Sequence, residues 1–573
     1  MKFKINERVP LYTVVATCLT VSTAFIDPIN LPKLMVLVLG TSVIVFSWFF
    51  EKSFPSRFEN KLPILIIVLF ISGLTLAALA SNQNVMRTLL GTNGRNNGFI
   101  SYLCLAIILF EGINFGKRGQ SDRVIRMFAL VGLLLGLYGF MQMNRADFFH
   151  FVYGGNPIIL TLGNEDFSSL ILTLTVLASI YAMLETNKDL WKIAYGISAI
   201  FQIWIIININ TAQSKLALTS GLLIFTIIFN LLKKRIDTKT KLLISFPVLL
   251  VIFSVVIGFF GRGPLSTINS NLRNFRSRVY HWQEAWYMFK ARPITGIGLD
   301  SYGQYQPYYK VMTAEGTPDT YSDNAHNVFM QLLATGGLVL ILTFLLLVFF
   351  IFYRHIISLK SRNLPRVLVA FESSFLIIFL AHLIVGIDNL GLAVCFWFFS
   401  GLIIGGSYIK EPLKNINSQN KEMVKDKFHR VLPKAFKYTL APLIFISMMV
   451  TMSEVRAHLA ISQILITNGQ IKVNANDTER IFKTAMMSQN PDLRLVSIRT
   501  LYTLGSFEKG FEIASDSIKR FPRDLPTLDA IAIYYEQIKE YKKALRVRQK
   551  MVYLDPLSDV LKQKLSDVEK LIQ

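Results

Sequence analysis

The sequence predicts an all-α protein, a polytopic bundle of about 12–13 membrane-spanning helices followed by a small helical-repeat domain. Three observations lead there. Apolar residues make up 52% of the 573, and the mean hydropathy is +0.44. Apolar runs of about 18 residues or more, each long enough to cross a hydrocarbon core of about 30 Å, recur along the chain. From about Arg456 onward the composition turns soluble and repeats itself at a fixed interval.

The apolar runs give thirteen expected spans: 9–26, 31–50, 62–80, 99–115, 124–141, 165–184, 191–208, 214–232, 243–260, 327–352, 366–386, 390–408 and 438–454. The stretch NINTAQSK, residues 208–215, reads either as a tight hairpin or as a break in one bent element. The first 26 residues have the charged-then-apolar look of a leader, but a second span follows at once, so an uncleaved first helix is expected.

The formal charge of +23 and pI near 9.7 would ordinarily raise nucleic-acid binding. The placement of the charge argues against it. Lys and Arg crowd into short connections at 116–123, 231–242, 353–362 and 409–430. That is the pattern of cytoplasmic loops. With the N-terminus inside, alternation puts each of these loops inside and the tail outside. The three cysteines, Cys18, Cys104 and Cys395, all fall in apolar runs, so neither a disulfide framework nor a zinc site is expected.

In the tail, SFEKGFEIASDSIKRFPRD (506–524) returns as EYKKALRVRQKMVYLDPLS (540–558). Phe507 answers to Tyr541, Gly510 to Ala544 and Pro522 to Pro556, a period of 34. This is tetratricopeptide spacing, with a weaker copy near 481–491. The expected domains are therefore 1–455, in the membrane, and 456–573, a helical-repeat domain suited to a protein partner or to bracing the bundle.

The same alternation gathers Arg95, Asn164, Lys215, Arg278, His326 and Asp388 at span mouths on the outer side. Polar groups collected on one side mark a candidate extracytoplasmic site. In SDNAHN, Asp323 and Asn324 suit an N-cap, which places His326 in the first turn of the tenth span. An imidazole there can accept a hydroxyl proton, although a lone histidine is more often simply packed. Arg278 lies in RNFRSRVYHWQEAWYMFKARPITGIGLDSYG, where Val279, Trp282, Trp286 and Phe289 recur at helical spacing, as in a helix lying on the bilayer. Arg273, Arg276 and Arg278 there suit lipid head groups, or one of them a phosphate gripped bidentately. Lys215 reads as a snorkelling lysine or a phosphate ligand. Arg95 sits in GTNGRNNG, whose glycines allow close approach by a ligand and also fit a plain flexible turn. No HExxH, CxxC, P-loop or GxSxG context occurs, so neither a metal nor a nucleotide cofactor is expected.

In order and spacing, GTNGRNNGF, LGNEDFSSLILTL, NTAQSKLAL, RVYHWQEAWYMFKARPITGIGLDSYG and AHNVFMQLLATGGLVL resemble the O-antigen ligase/polymerase superfamily over roughly residues 60–410. The resemblance implies a metal-independent, inverting glycosyl transfer from a polyprenyl-diphosphate-linked glycan to an acceptor hydroxyl, outside the cytoplasmic membrane of a bacterium. It implies catalytic roles for His326 and Arg278, and diphosphate binding by Lys215, Arg95 and Arg276. Lys215 stands where many members carry arginine, which keeps the charge but loses the fork. Asn327, Asn164 and Asp323 are the candidates for the acceptor glycan. The acceptor is left open: a lipid core for a ligase, another repeat unit for a polymerase, or a Ser, Thr or Tyr hydroxyl for a protein oligosaccharyltransferase. A transporter or flippase is the alternative of another class, with Glu372 and His382 as its best intramembrane candidates.

Overall fold

The computed structural model describes residues 8–50, 61–81, 83–149, 158–209, 211–232, 253, 257, 267–311, 319–361, 364–409, 422–465 and 477–573. Regular structure among them is helical throughout. Ten helices are long and apolar enough to cross a membrane, and two shorter apolar ones, Val9–Leu19 and Leu390–Gly406, accompany them. The expected ninth span, 243–260, lies almost entirely outside the described residues.

The bundle is built around Phe99–Lys117, which is buried along its whole apolar window. Small residues let its backbone close on Leu390–Gly406. A Cβ on Gly112 would meet Phe398 O and the Cα of Gly401, and one on Gly116 would meet Leu402 O and Gly406 N. On the partner helix Gly401 faces Leu109 O, and Gly405 faces Ile113 O. Two small residues four apart on each helix give the close crossing that drives association in lipid, where apolar contact alone favours neither partner.

Most spans fall within a few residues of expectation, and the exceptions have physical causes. The first ends at Leu19 rather than at 26. There the buried Lys33 ammonium donates to Cys18 O (3.0 Å) and Thr20 O (2.7 Å), and Thr161 Oγ1 also donates to Cys18 O, so the helix's last carbonyls are satisfied early. Residues 208–215 form two separate helices, Asp189–Asn208 and Ala212–Leu231, the second capped by Thr211 accepting from Ser214 N. The basic stretch 353–361 is the last turns of a helix, Val328–Ser361, rather than a loop. The last apolar run belongs to Glu422–Leu465, a stalk of 44 residues. At 1.5 Å per residue it is about 66 Å long, more than twice what a bilayer needs.

Val328–Ser361 is not continuous: Gly337 has φ +68°. Residues 293–298 fill the break. Ile297 N donates to Ala334 O and Gly298 N to Thr335 O, both at 3.0 Å, while Leu338 N donates to Pro293 O at 2.8 Å and Val339 N to Ile294 O at 3.4 Å. The orphaned groups on both sides of the break are thus paired. The stretch PITGIG, residues 293–298, is a fixed plug.

The described tail helices are Asp477–Met487, Pro491–Thr503, Phe507–Arg520, Leu525–Gln537, Tyr541–Leu554 and Asp559–Ile572. Pro491, Leu525 and Asp559 open helices 34 residues apart. The stalk holds this tail near the bundle: His458 Nε2 meets Asn490 Nδ2 at 3.1 Å, and Ser462 Oγ donates to Ala24 O. A buried ion pair, Lys310 to Asp555 at 3.0 Å, ties the tail to the end of the helix Tyr302–Tyr309. Ser558 donates to Asp319 beside it.

A side chain at Gly337 meets both constraints at once, a positive φ and the backbone of Ile294 and Gly296. Gly337→Val is expected to destabilise the protein by about 3 kcal/mol. The measurement is the thermal midpoint of purified protein together with hydrogen exchange at Ile297 and Gly298, whose amides should exchange faster.

Candidate functional site

The plug sets the floor of one mouth of the bundle. Directly after it, Asp300 is buried and accepts from Thr92 N (2.6 Å) and Asn97 N (3.3 Å), and Thr92 Oγ1 donates to Asp300 O. Asn97 Nδ2 donates to Asp388 O, and Tyr102 donates its hydroxyl to Asp388 Oδ2 at 3.0 Å. From the other side Asn30 Nδ2 donates to Gly94 O at 2.6 Å. The glycine-rich stretch around Arg95 is therefore held from three directions. Burial pushes Asp300 up to about 7 and Asp388 up to about 6, against the amides and hydroxyl that favour their charged forms.

Above this floor stands a carboxylate–imidazole pair. Glu284 is buried on the helix Thr267–Ala291, whose packed face is Glu284, Ala285 and Met288. The aromatic side of that helix, with Trp286 exposed, points away. Glu284 accepts from Tyr302 Oη (2.7 Å), Gln306 Nε2 (3.1 Å) and Val311 N (3.2 Å), and its Oε2 lies 3.0 Å from His281 Nδ1. A carboxylate at Nδ1 fixes the ring's orientation and leaves Nε2 for other work. The His281 ring stacks on His326, with centroids 5.5 Å apart and planes at 23°.

His326 lies just before its helix rather than in the first turn. Asn327 Oδ1 accepts from Met330 N and is the cap, while Asn324 Oδ1 accepts from His326 N. These bonds hold His326 at φ +50°. Asn96 and Asp300, at the same mouth, also have positive φ. Each such residue costs about 1–3 kcal/mol and survives only where its surroundings over-determine it. Burial, followed by the charges of His281 and Arg278, pushes the His326 imidazole down to about 4, with Asp323 opposing. The ring is neutral at pH 7.

Two guanidiniums flank the histidines. Arg95 forks onto Asp323, with Nε to Oδ2 at 2.7 Å and Nη2 to Oδ1 at 3.0 Å. Arg278 donates to Val385 O at 2.7 Å and stands 3.8 Å from Asp166. Burial pulls Arg278 below its ordinary value. A guanidinium partly stripped of water and only loosely paired is well placed to take a phosphate.

Of the residues singled out from the sequence, Arg95, Asp323, Arg278 and His326 come together, with Asp388 beneath. Lys215 is buried on the neighbouring helix Ala212–Leu231, two residues beyond Gln213, whose amide lies 3.4 Å from His382 Nδ1. Asn327 and Asn164 have their side-chain oxygens engaged as helix caps, Asn164 with Asp166 N at 2.8 Å. The Arg276 side chain lies outside the described residues. Glu372 and His382 sit toward opposite ends of Arg366–Val385, six and three residues from its termini. Sequence reasoning missed His281, Glu284 and Asp300. A His and a Glu three apart on a helix were the available signal for the first two.

A family model described as O-antigen ligase matches residues 197–345. The matched segment holds Lys215, Arg278, His281, Glu284, Asp300, Asp323 and His326, and omits Arg95 and the tail. A search of curated proteins finds no match.

Two outcomes are expected. In isotope-labelled protein the His326 ring should titrate near pH 4 rather than 6.5. Because the Arg278 charge disfavours the imidazolium, Arg278→Gln should raise that value, as read by NMR. Glu284→Ala strands a hydroxyl, an amide, a backbone N–H and an imidazole. It should cost about 1–3 kcal/mol for each buried donor left unpaired, read as a lowered thermal midpoint.

Proposed function

We propose, from the match of residues 197–345 to a family model described as O-antigen ligase, that this multi-pass membrane protein is a glycosyltransferase. It moves a glycan from a polyprenyl-diphosphate carrier to an acceptor hydroxyl, on the extracytoplasmic side of a bacterial cytoplasmic membrane, with inversion and without a metal. The observation that carries this reading is the neutral His326, stacked on a carboxylate-anchored imidazole and flanked by Arg278 and the Arg95–Asp323 pair.

In this reading Arg278 holds the diphosphate, with Arg95, Lys215 and Arg276 adding positive charge near it. The acceptor oxygen attacks the anomeric carbon as the bond to the diphosphate oxygen breaks. The bonding pair leaves with the polyprenyl diphosphate, and fixed cations stabilise that growing charge in a low-dielectric mouth. His326 accepts the hydroxyl's hydrogen bond. An imidazole near 4 is a weak base, so the proton moves late, when the acceptor oxygen has become acidic and the diphosphate charge beside the ring favours imidazolium. His281, set by Glu284, positions His326. Asp323 orients Arg95, and Asn327 and Asn164 act through the helix starts they cap.

The test is mass spectrometry of lipid-linked glycans from cells with wild-type protein, His326→Ala or Arg278→Ala at equal abundance. Accumulation of full-length lipid-linked glycan in both variants is expected for a ligase. Accumulation of single repeat units would instead make the enzyme a polymerase, and an unchanged pool in both variants would overturn the transfer reading. In purified protein the acidic limb of kcat/KM should break well below 6.5, because protonation of His326 removes the acceptor lone pair only as pH approaches about 4.

A further inference from the structure

Between the tail and the mouth lies a cavity of about 680 Å³. This is within the range of small-ligand sites, about 300–1,000 Å³. His326, Asp323 and Thr92 line its floor, and Arg499, Arg523 and Asp524 of the tail line its roof. The roof is fixed in place by the buried Lys310–Asp555 pair and by Arg523, whose guanidinium covers the rings of Tyr305 at 4.5 Å and Tyr308 at 5.4 Å.

Two guanidiniums in this lining carry N–H groups with no acceptor among the described residues. Arg87, on the short helix Val85–Leu90, is 7% exposed, and its Nε has no partner. Arg523 has two such groups, Nε and Nη2. A buried donor left unpaired costs about 1–3 kcal/mol, more when it is charged. Turning either side chain toward the cavity, where the oxygens of a ligand can reach those groups, removes that cost. The carboxylates among the lining side chains are Asp323, Asp492, Asp524 and Asp529. Guanidiniums and carboxylates in one wall match a ligand whose groups both accept and donate. Hydroxyl groups do both, and sugar chains carry them at almost every carbon.

We propose that this cavity binds the oligosaccharide part of the lipid-linked donor, with sugar oxygens accepting from Arg87 and Arg523 and sugar hydroxyls donating to the aspartates. The inference rests on the transfer reading for the identity of the glycan. A sugar whose diphosphate is held at Arg278 next to His326 has its chain pointing into this space, so the tail becomes a wall of the substrate site.

The probe is the free oligosaccharide released by mild acid from the cells' own lipid-linked pool, titrated into full-length protein in detergent. Wild type should bind it, and Arg523→Gln should bind at least tenfold more weakly. Arg523→Lys, which keeps charge but loses the fork, should fall between. Arg87→Gln should act in the same direction. Because Arg87 is buried, its thermal midpoint is measured alongside, and the half-buried Arg523 carries the test if Arg87→Gln does not fold. Wild-type protein that fails to bind the probe, or Arg523→Gln that binds it as well as wild type, overturns the proposal. The two readings fail separately. An accumulating lipid-linked pool in His326→Ala with binding indifferent to Arg523 rejects the cavity and keeps transfer. An unchanged pool with Arg523-dependent binding rejects transfer and keeps the cavity.

Discussion

A helix interrupted within a membrane bundle must find new partners for the backbone groups it frees, because lipid offers none. Here the partners come from residues 293–298, which give two amides to one side of the break at Gly337 and two carbonyls to the other. The rest of the mouth depends on this pairing. It fixes where the chain leaves the helix Thr267–Ala291, and hence where Asp300 meets Thr92 and Asn97. It also fixes the short helical segment that Asn327 caps and that His326 precedes.

The electrostatics follow from the same low-dielectric setting. Asp300 and Asp388 are pushed toward neutrality because water is excluded, and His326 is pushed the same way from the basic side. Around them stand built ion pairs: Arg95 with Asp323, and Lys310 with Asp555. Glu284 is surrounded by donors on the faces it presents to Tyr302, Gln306 and the Val311 amide.

Spans were legible because long apolar runs leave few options, and Gly112, Gly116, Gly401 and Gly405 in buried helices are readable as close crossings. Helix ends were less so. Lys33 looks like a charged residue at a span start, and nothing in the sequence near it says that it closes the helix ending at Leu19. His326 and Arg278 could be picked out because charge inside or beside an apolar run is expensive. The same reasoning also pointed to Asn164 and Asn327, which cap helices here; an asparagine that caps a helix and one that binds a sugar read alike. Glu284 and Asp300 escaped because their donors come from Tyr302, Gln306, Thr92 and Asn97, brought in by the fold. Arg87 and Arg523 escaped for a further reason: 436 residues separate them, and only the tail's return over the mouth makes them neighbours of one cavity.

That return is made through a contact between Lys310 and Asp555, 245 positions apart. Closing so long a loop carries an entropic cost that grows slowly with length, but it delays the contact until the intervening chain is in place. The helices of the bundle can insert and pair as they are made, whereas the roof can dock only after Asp555 has been synthesised. Assembly is thus ordered in time: a chain halted partway through the tail can have its spans, plug and histidines seated while the compartment above them still stands open.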